Sequence, residues 1–127
     1  MGAQPFRLGW FGNLTTPEWR TGWSEDALTW TDARYYVDMV QDMERAGFDF
    51  MMLEDSLMVS DIYAGTAELE LKHAIYAPKL DPVPVVSMLA YATEHIGIVA
   101  TASTTFYPPY LLARAFSTLD HVTRGRV

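Results

Sequence analysis

The stretch Ile96-Gly97-Ile98-Val99-Ala100-Thr101-Ala102-Ser103-Thr104-Thr105-Phe106 decides the fold, because an apolar run breaks there abruptly into four clustered hydroxyl side chains. The opening IGIVA is apolar at every position, as in a strand covered on both faces, and in a water-exposed protein that means a parallel sheet flanked by helices. Ligands of such sheets bind at the carboxyl ends of the strands. Thr101, Ser103, Thr104 and Thr105 are therefore the hydroxyls best placed to meet one.

Helical patterns stand on either side. Asp81-Pro82 is a cap followed by proline at the first helical position, and the pattern to residue 93 buries Val85, Val86, Leu89 and Ala92. Beyond the hydroxyls a further helix opens at Pro108-Pro109 and buries Leu112, Ala115, Phe116 and Leu119. Upstream, residues 48 to 53, FDFMML, read as a second strand with Glu54-Asp55-Ser56 at its carboxyl end. A first strand covers residues 6 to 11 and stops at Gly12-Asn13. Between them a helix starts at Thr31 or Asp32, runs to about Ala46 with Tyr36, Val40 and Met43 as its apolar stripe, and is closed by Gly47. Residues 14 to 30 and 57 to 80 read as long connections, the second with a helical turn around residues 67 to 73.

Strand and helix thus alternate, which implies right-handed crossovers and a parallel sheet. A free three-stranded sheet leaves two apolar edges open, whereas a (β/α)8 barrel of roughly 250 residues covers both. The sequence stops at Arg126-Val127, where a fourth strand would begin. The expected fold class is α/β, with residues 1–127 as the N-terminal three βα units of a single (β/α)8 TIM barrel cut before strand 4.

The bulk numbers fit a folded, acidic protein. Of 127 residues, 50% are hydrophobic and 20% charged, with a formal net charge of −7. Without a basic cluster, a nucleic-acid or anionic-membrane surface is disfavoured. Cysteine is absent, which excludes disulfides, thiolate metal sites and cysteine nucleophiles and fits a cytoplasmic setting. No apolar segment approaches the ~18 residues of a membrane span, and residues 1–7 lack the apolar core of a signal peptide.

Taken by themselves, the candidate site residues stay open between two roles. Asp55 orders a loop or touches a ligand; Thr101 satisfies backbone groups at a strand end or hydrogen-bonds a ligand. Glu54 and Asp55 cannot act as a carboxylate pair in strand geometry, because neighbouring side chains point to opposite faces. His73, His95 and His121 have no metal-ligand spacing, so no metal is expected. Trp10 and Phe11 end the first strand and are expected at its ligand rim, with Asn13 just beyond; Trp19, Trp23 and Trp30 are left between pocket and packing. There is no Ser-His-Asp arrangement and no glycine-rich phosphate loop.

Several short motifs in order, Leu80-Asp81-Pro82, Thr93-Glu94-His95-Ile96-Gly97, Thr101-Ala102-Ser103-Thr104, Pro109-Tyr110, Ala113-Arg114, Leu119-Asp120 and Gly125-Arg126, resemble the bacterial-luciferase-like flavin monooxygenases. The resemblance is closest to the branch of nitrilotriacetate, EDTA and dibenzothiophene-sulfone monooxygenases. It implies a (β/α)8 barrel that takes reduced FMN from a separate NAD(P)H:flavin reductase, forms a flavin peroxide with O2 and oxidises a small organic substrate. It further implies Asp55 and Thr101 as flavin-site residues, Thr101 near the oxygen-reactive edge as the catalytic candidate, and Trp10, Phe11 and Asn13 as substrate contacts. A homo-oligomer is expected, without nucleic-acid or membrane partners. Two positions depart from the family pattern: Glu54 replaces a small or apolar residue, and Thr123-Arg124 replaces Ser-Gly. Two alternatives remain beside this reading, an F420-dependent oxidoreductase on the same barrel and a non-catalytic fragment acting only in assembly.

Overall fold

A computed structural model describes residues 5–15 and 30–127. Trp19, Trp23 and most of the first long connection lie outside the described residues. The elements are β1 (Gly9–Gly12), α1 (Ala33–Arg45), β2 (Phe50–Leu53), α2 (Glu68–His73), α3 (Pro82–Tyr91), β3 (Gly97–Ala100) and α4 (Pro109–Thr123). The strands form one sheet in the order β1-β2-β3, and both pairings are parallel, as the alternation required. Among the described residues no helix is long and apolar enough to cross a membrane.

α1 begins where Asp32 accepts the Arg34 amide at 2.9 Å, and it buries Tyr36, Val40 and Met43. Burial pushes the Tyr36 hydroxyl up to about 12, and it donates to the Trp30 carbonyl at 2.6 Å. The helix ends in a Schellman motif: Phe48 N–H donates to Met43 O and Gly47 N–H to Glu44 O, with Gly47 at φ +84°. That closure explains why β2 starts at Phe50 rather than residue 48. β1 similarly starts at Gly9, since Asp49 holds the Arg7 guanidinium and the Leu8 amide outside the sheet.

α3 opens on Asp81, whose carboxylate accepts the Val83 amide, and buries Pro82, Val86, Leu89 and Ala90. Val85 and Ala92, expected in the core, are half-buried, because the face turned to the sheet runs through 86, 89 and 90. On α4, Leu119 and Thr123 are buried, while Leu112, Ala115 and Phe116 pack at the margin.

The period of two along each strand separates the sheet's faces. Met51, Leu53, Ile98 and Ala100 are buried beneath the helices with Tyr36, Val40, Val86 and Leu89. On the opposite face the register sets side chains in rows across the strands. Gly9, Phe50 and Gly97 make the lowest row, and Phe11, Met52 and Val99 the next. The Phe50 ring lies where a Cβ on Gly9 would be, 2.2 Å from its nearest atom, so a larger residue there would have to displace the ring. Among the described residues no helix covers this second face, and Phe11 and Val99 are exposed on it.

The amino-terminal end of the sheet is held by two charged side chains. Glu44 accepts the amides of Glu94, His95 and Ile96 at 2.6 to 3.0 Å. Arg126 donates to the carbonyls of Ala90, Thr93, Ile96 and Thr123 and to the Thr93 hydroxyl. Its own carbonyl accepts the Ile98 amide at 2.7 Å, along the edge of β3 away from β2.

Candidate active site at the carboxyl ends of the strands

The parallel ladder runs one residue past each strand. Glu54 N–H donates to Gly12 O at 3.1 Å and Thr101 N–H to Leu53 O at 3.0 Å. The register therefore continues into a third row on the helix-free face, Asn13, Glu54 and Thr101, above the apolar row of Phe11, Met52 and Val99. The face grades from apolar to polar toward its carboxyl end.

Residues 76–81 are tied across this end. Thr15 and Lys79 form an antiparallel bridge, the Thr15 hydroxyl donates to Pro78 O at 2.8 Å, and Leu80 N–H donates to Leu14 O at 2.8 Å. This places the Lys79 ammonium on the Glu54 carboxylate, an ion pair whose side chains are 7% and 16% exposed. The same ammonium lies 5.6 Å from the centre of the Tyr76 ring. Neither Lys79 nor its pairing was legible beforehand. The signal was Glu54 itself, since a carboxylate at the end of an apolar strand demands a cation.

Asp55, one step beyond Glu54, turns to the wall of a cleft of about 250 Å³ between residues 55–59 and 76–81. Burial raises its carboxyl above the usual range, and the Asp81 and Glu54 charges add to this against the pull of the Ser56 amide and Lys79. Asp81 accepts the Tyr107 hydroxyl at 2.9 Å, and that bond holds the phenol up. Thr101 and Ser103 are half-buried, whereas Thr104 and Thr105 are exposed in the turn that leads to α4.

Thr101 and Asn13 therefore share one row, Phe11 lies directly below it, and Asp55 stands at the adjoining strand end. Trp10 does not join them. It pairs in register with Met51 and Ile98 on the helix-bearing face, and its ring meets Phe48 edge-on at 6.5 Å. Adjacent residues of one strand cannot both reach one face, so the expectation that Trp10 and Phe11 share the rim is corrected to Phe11 alone. Among the described residues, no group of three or more His, Asp or Glu side chains could hold a metal ion.

An apolar wall capped by a hydrogen-bonding rim suits a planar heteroaromatic ring, whose faces need apolar contact and whose edge needs donors and acceptors. The sequence pattern of luciferase-like monooxygenases matches residues 9–127. The chain belongs to this family. Over 104 residues it is 44% identical to the dimethyl-sulfide monooxygenase of Hyphomicrobium sulfonivorans, covering 82% of this chain and 22% of that protein. The crystal structure of that organism's DmoA superposes with a TM-score of 0.83 at 39% identity, over 98% of this chain and 28% of that one. Nitrilotriacetate monooxygenase component A of Aminobacter aminovorans is 44% identical over 102 residues, covering 76% of this chain and 22% of that protein. The riboflavin lyase RcaE, solved with modified FMN and riboflavin, superposes with a TM-score of 0.84 at 30% identity, over 97% of this chain and 28% of that one. The chain spans about a quarter of the length of these relatives.

Proposed function

We propose that these residues are the first three βα units of a (β/α)8 barrel, in a monooxygenase that receives reduced FMN from a separate reductase and oxidises a small organic molecule with O2. The observation that carries this reading is the third row of the helix-free face, where Asn13, Glu54 and Thr101 cap the apolar Phe11, Met52 and Val99. Family membership and the FMN-containing relative support it. Reduced FMN, when bound, supplies the electrons that activate dioxygen.

The chain's own residues do the positioning. Thr101 offers a hydroxyl at the ring edge, on a backbone fixed by its bond to Leu53 O. Met52 and Val99 give an apolar wall that excludes water, Phe11 and Asn13 bound the substrate side, and Asp55 orders the rim beside the Glu54–Lys79 pair. The test is Thr101→Val in the full-length protein, which keeps the shape and removes the hydroxyl. Losing one hydrogen bond of about 0.5–1.5 kcal/mol weakens binding roughly 2- to 12-fold. Anaerobic titration with reduced FMN reads that change, and turnover with a supplied flavin reductase reads its consequence. Unchanged affinity and turnover would remove Thr101 from the site.

A further inference from the structure

The relatives leave the charge of the substrate open, since dimethyl sulfide is neutral and nitrilotriacetate is a polycarboxylate. We propose that the cleft beyond the end of β2, between residues 55–59 and 76–81, admits small neutral, apolar molecules and rejects carboxylates, and that Glu54 sets this preference by holding Lys79. The inference rests on the monooxygenase reading above only in expecting a small organic substrate, and it extends the substrate's space from Phe11 and Asn13 to this cleft beyond Asp55.

Size and lining point the same way. At about 250 Å³ the cleft suits a small molecule, below the usual range for drug-sized ligands. Leu57, Met58 and the Tyr76 ring line it and are at least half exposed, so a ligand there gains apolar contact. Tyr76 stands at φ +57°, an uncommon conformation for a bulky side chain, held in a segment that Thr15 and Leu14 tie to the sheet.

Charge decides the class. Lys79 is the one cation among the described lining residues, and its ammonium is already paired with Glu54 and set over Tyr76. A carboxylate ligand could take that ammonium only by leaving Glu54 buried without a partner. Asp55 and Asp81 face the same space, and the hydrogen-bond donors to Asp81 are the neutral Val83 amide and Tyr107 hydroxyl. An anion entering the cleft therefore meets like charge with no free counter-charge.

Calorimetric titration of the full-length, flavin-free protein with dipropyl sulfide and with 3-(propylthio)propanoate tests this without turnover. The neutral sulfide is expected to bind about tenfold more tightly or better. Glu54→Gln frees Lys79 and should bring the two affinities to near equality. Asp81→Asn, which still caps α3, should narrow the ratio several-fold and serves alone if Glu54→Gln does not fold. Equal binding by the unaltered protein, no binding of either compound, or an unchanged ratio in the folded variants overturns the proposal. Failure of the monooxygenase reading shows separately, as absence of reduced-FMN binding with the sulfide preference intact.

Discussion

Replacing Arg126 by methionine should unfasten the base of the sheet. Its guanidinium donates to Ala90 O at 2.5 Å, Thr93 O at 3.1 Å, Thr93 Oγ1 at 2.9 Å, Ile96 O at 3.2 Å and Thr123 O at 3.0 Å. The Ala90 and Thr93 carbonyls lie at the end of α3, among those a helix leaves without internal partners, and the cation also complements the helix dipole. Ala90, Thr93 and Ile96 are buried, so water cannot readily replace the lost donors. Methionine keeps the apolar stem and removes the donors. With three buried carbonyls stripped at about 1 kcal/mol or more each, the expected loss is about 3–4 kcal/mol. Arg126→Lys should recover under half, because an ammonium cannot span carbonyls set around a planar fork. Urea unfolding of the full-length protein followed by tryptophan fluorescence gives the stability change. Hydrogen exchange gives a local reading, since the Ile98 amide bonded to Arg126 O should lose protection first. A methionine variant within about 1 kcal/mol of the parent, with Ile98 still protected, would refute the reasoning.

Glu44→Ala should cost about 1–2 kcal/mol at neutral pH by removing the acceptor of three amides, of which that of Ile96 belongs to a buried residue. Burial opposes ionisation of Glu44, yet the amides of His95, Ile96 and Glu94 hold its carboxyl below the ordinary 4.5. Its contribution is thus complete above pH 4.5 and lost as pH falls through the lower folded value, and acid titration of stability in the variant should lack that part of the slope. Arg124 holds φ +60° at the end of α4, with Gly125 N–H on Asp120 O, so Arg124→Gly should raise stability by about 0.5–1 kcal/mol in a thermal melt. A polypeptide limited to residues 1–127 should self-associate and fail to bind FMN at micromolar affinity, because Phe11 and Val99 are exposed on the helix-free face; a clean monomer binding FMN stoichiometrically in sedimentation and flavin titration would contradict this.

Periodicity carried the fold, and tertiary contact carried the rest. Parallel order followed from alternating strands and helices, and Asp32, Gly47 and Asp81 were readable because caps are local chemistry. Strand ends were read up to three residues too long. Phe48 is apolar but closes α1, Phe6 to Leu8 run outside the sheet, and the Ile96 amide belongs to Glu44 rather than to a neighbouring strand. Thr101 and Asn13 are expected at a rim because carboxyl ends of parallel strands are where ligands bind, and the register sets the two in one row. Trp10 was misplaced because ending a strand says nothing about which face a side chain takes. Lys79 lies 25 residues from Glu54 behind an irregular connection, so only folding brings the two together.

The departures from the family pattern at Glu54 and Arg124 are not of one kind. Arg124 changes the conformational cost of a helix end, whereas Glu54 places a charge inside the row that caps the apolar wall. What aims that row is fixed at the far end of β3. The Ile96 amide is held by Glu44, the Gly97 amide by Asp49 O at 2.9 Å and the Ile98 amide by Arg126 O, so three consecutive residues are anchored before the strand rises. A slip of one residue would turn Ile98 and Ala100 onto the helix-free face and bury Val99 and Thr101 beneath α3. The hydroxyl at the rim is therefore only as well placed as the carboxylate and guanidinium at the base make it. Substitutions at Glu44 or Arg126, which touch no ligand in this reading, should misplace Thr101 as well as destabilise the sheet.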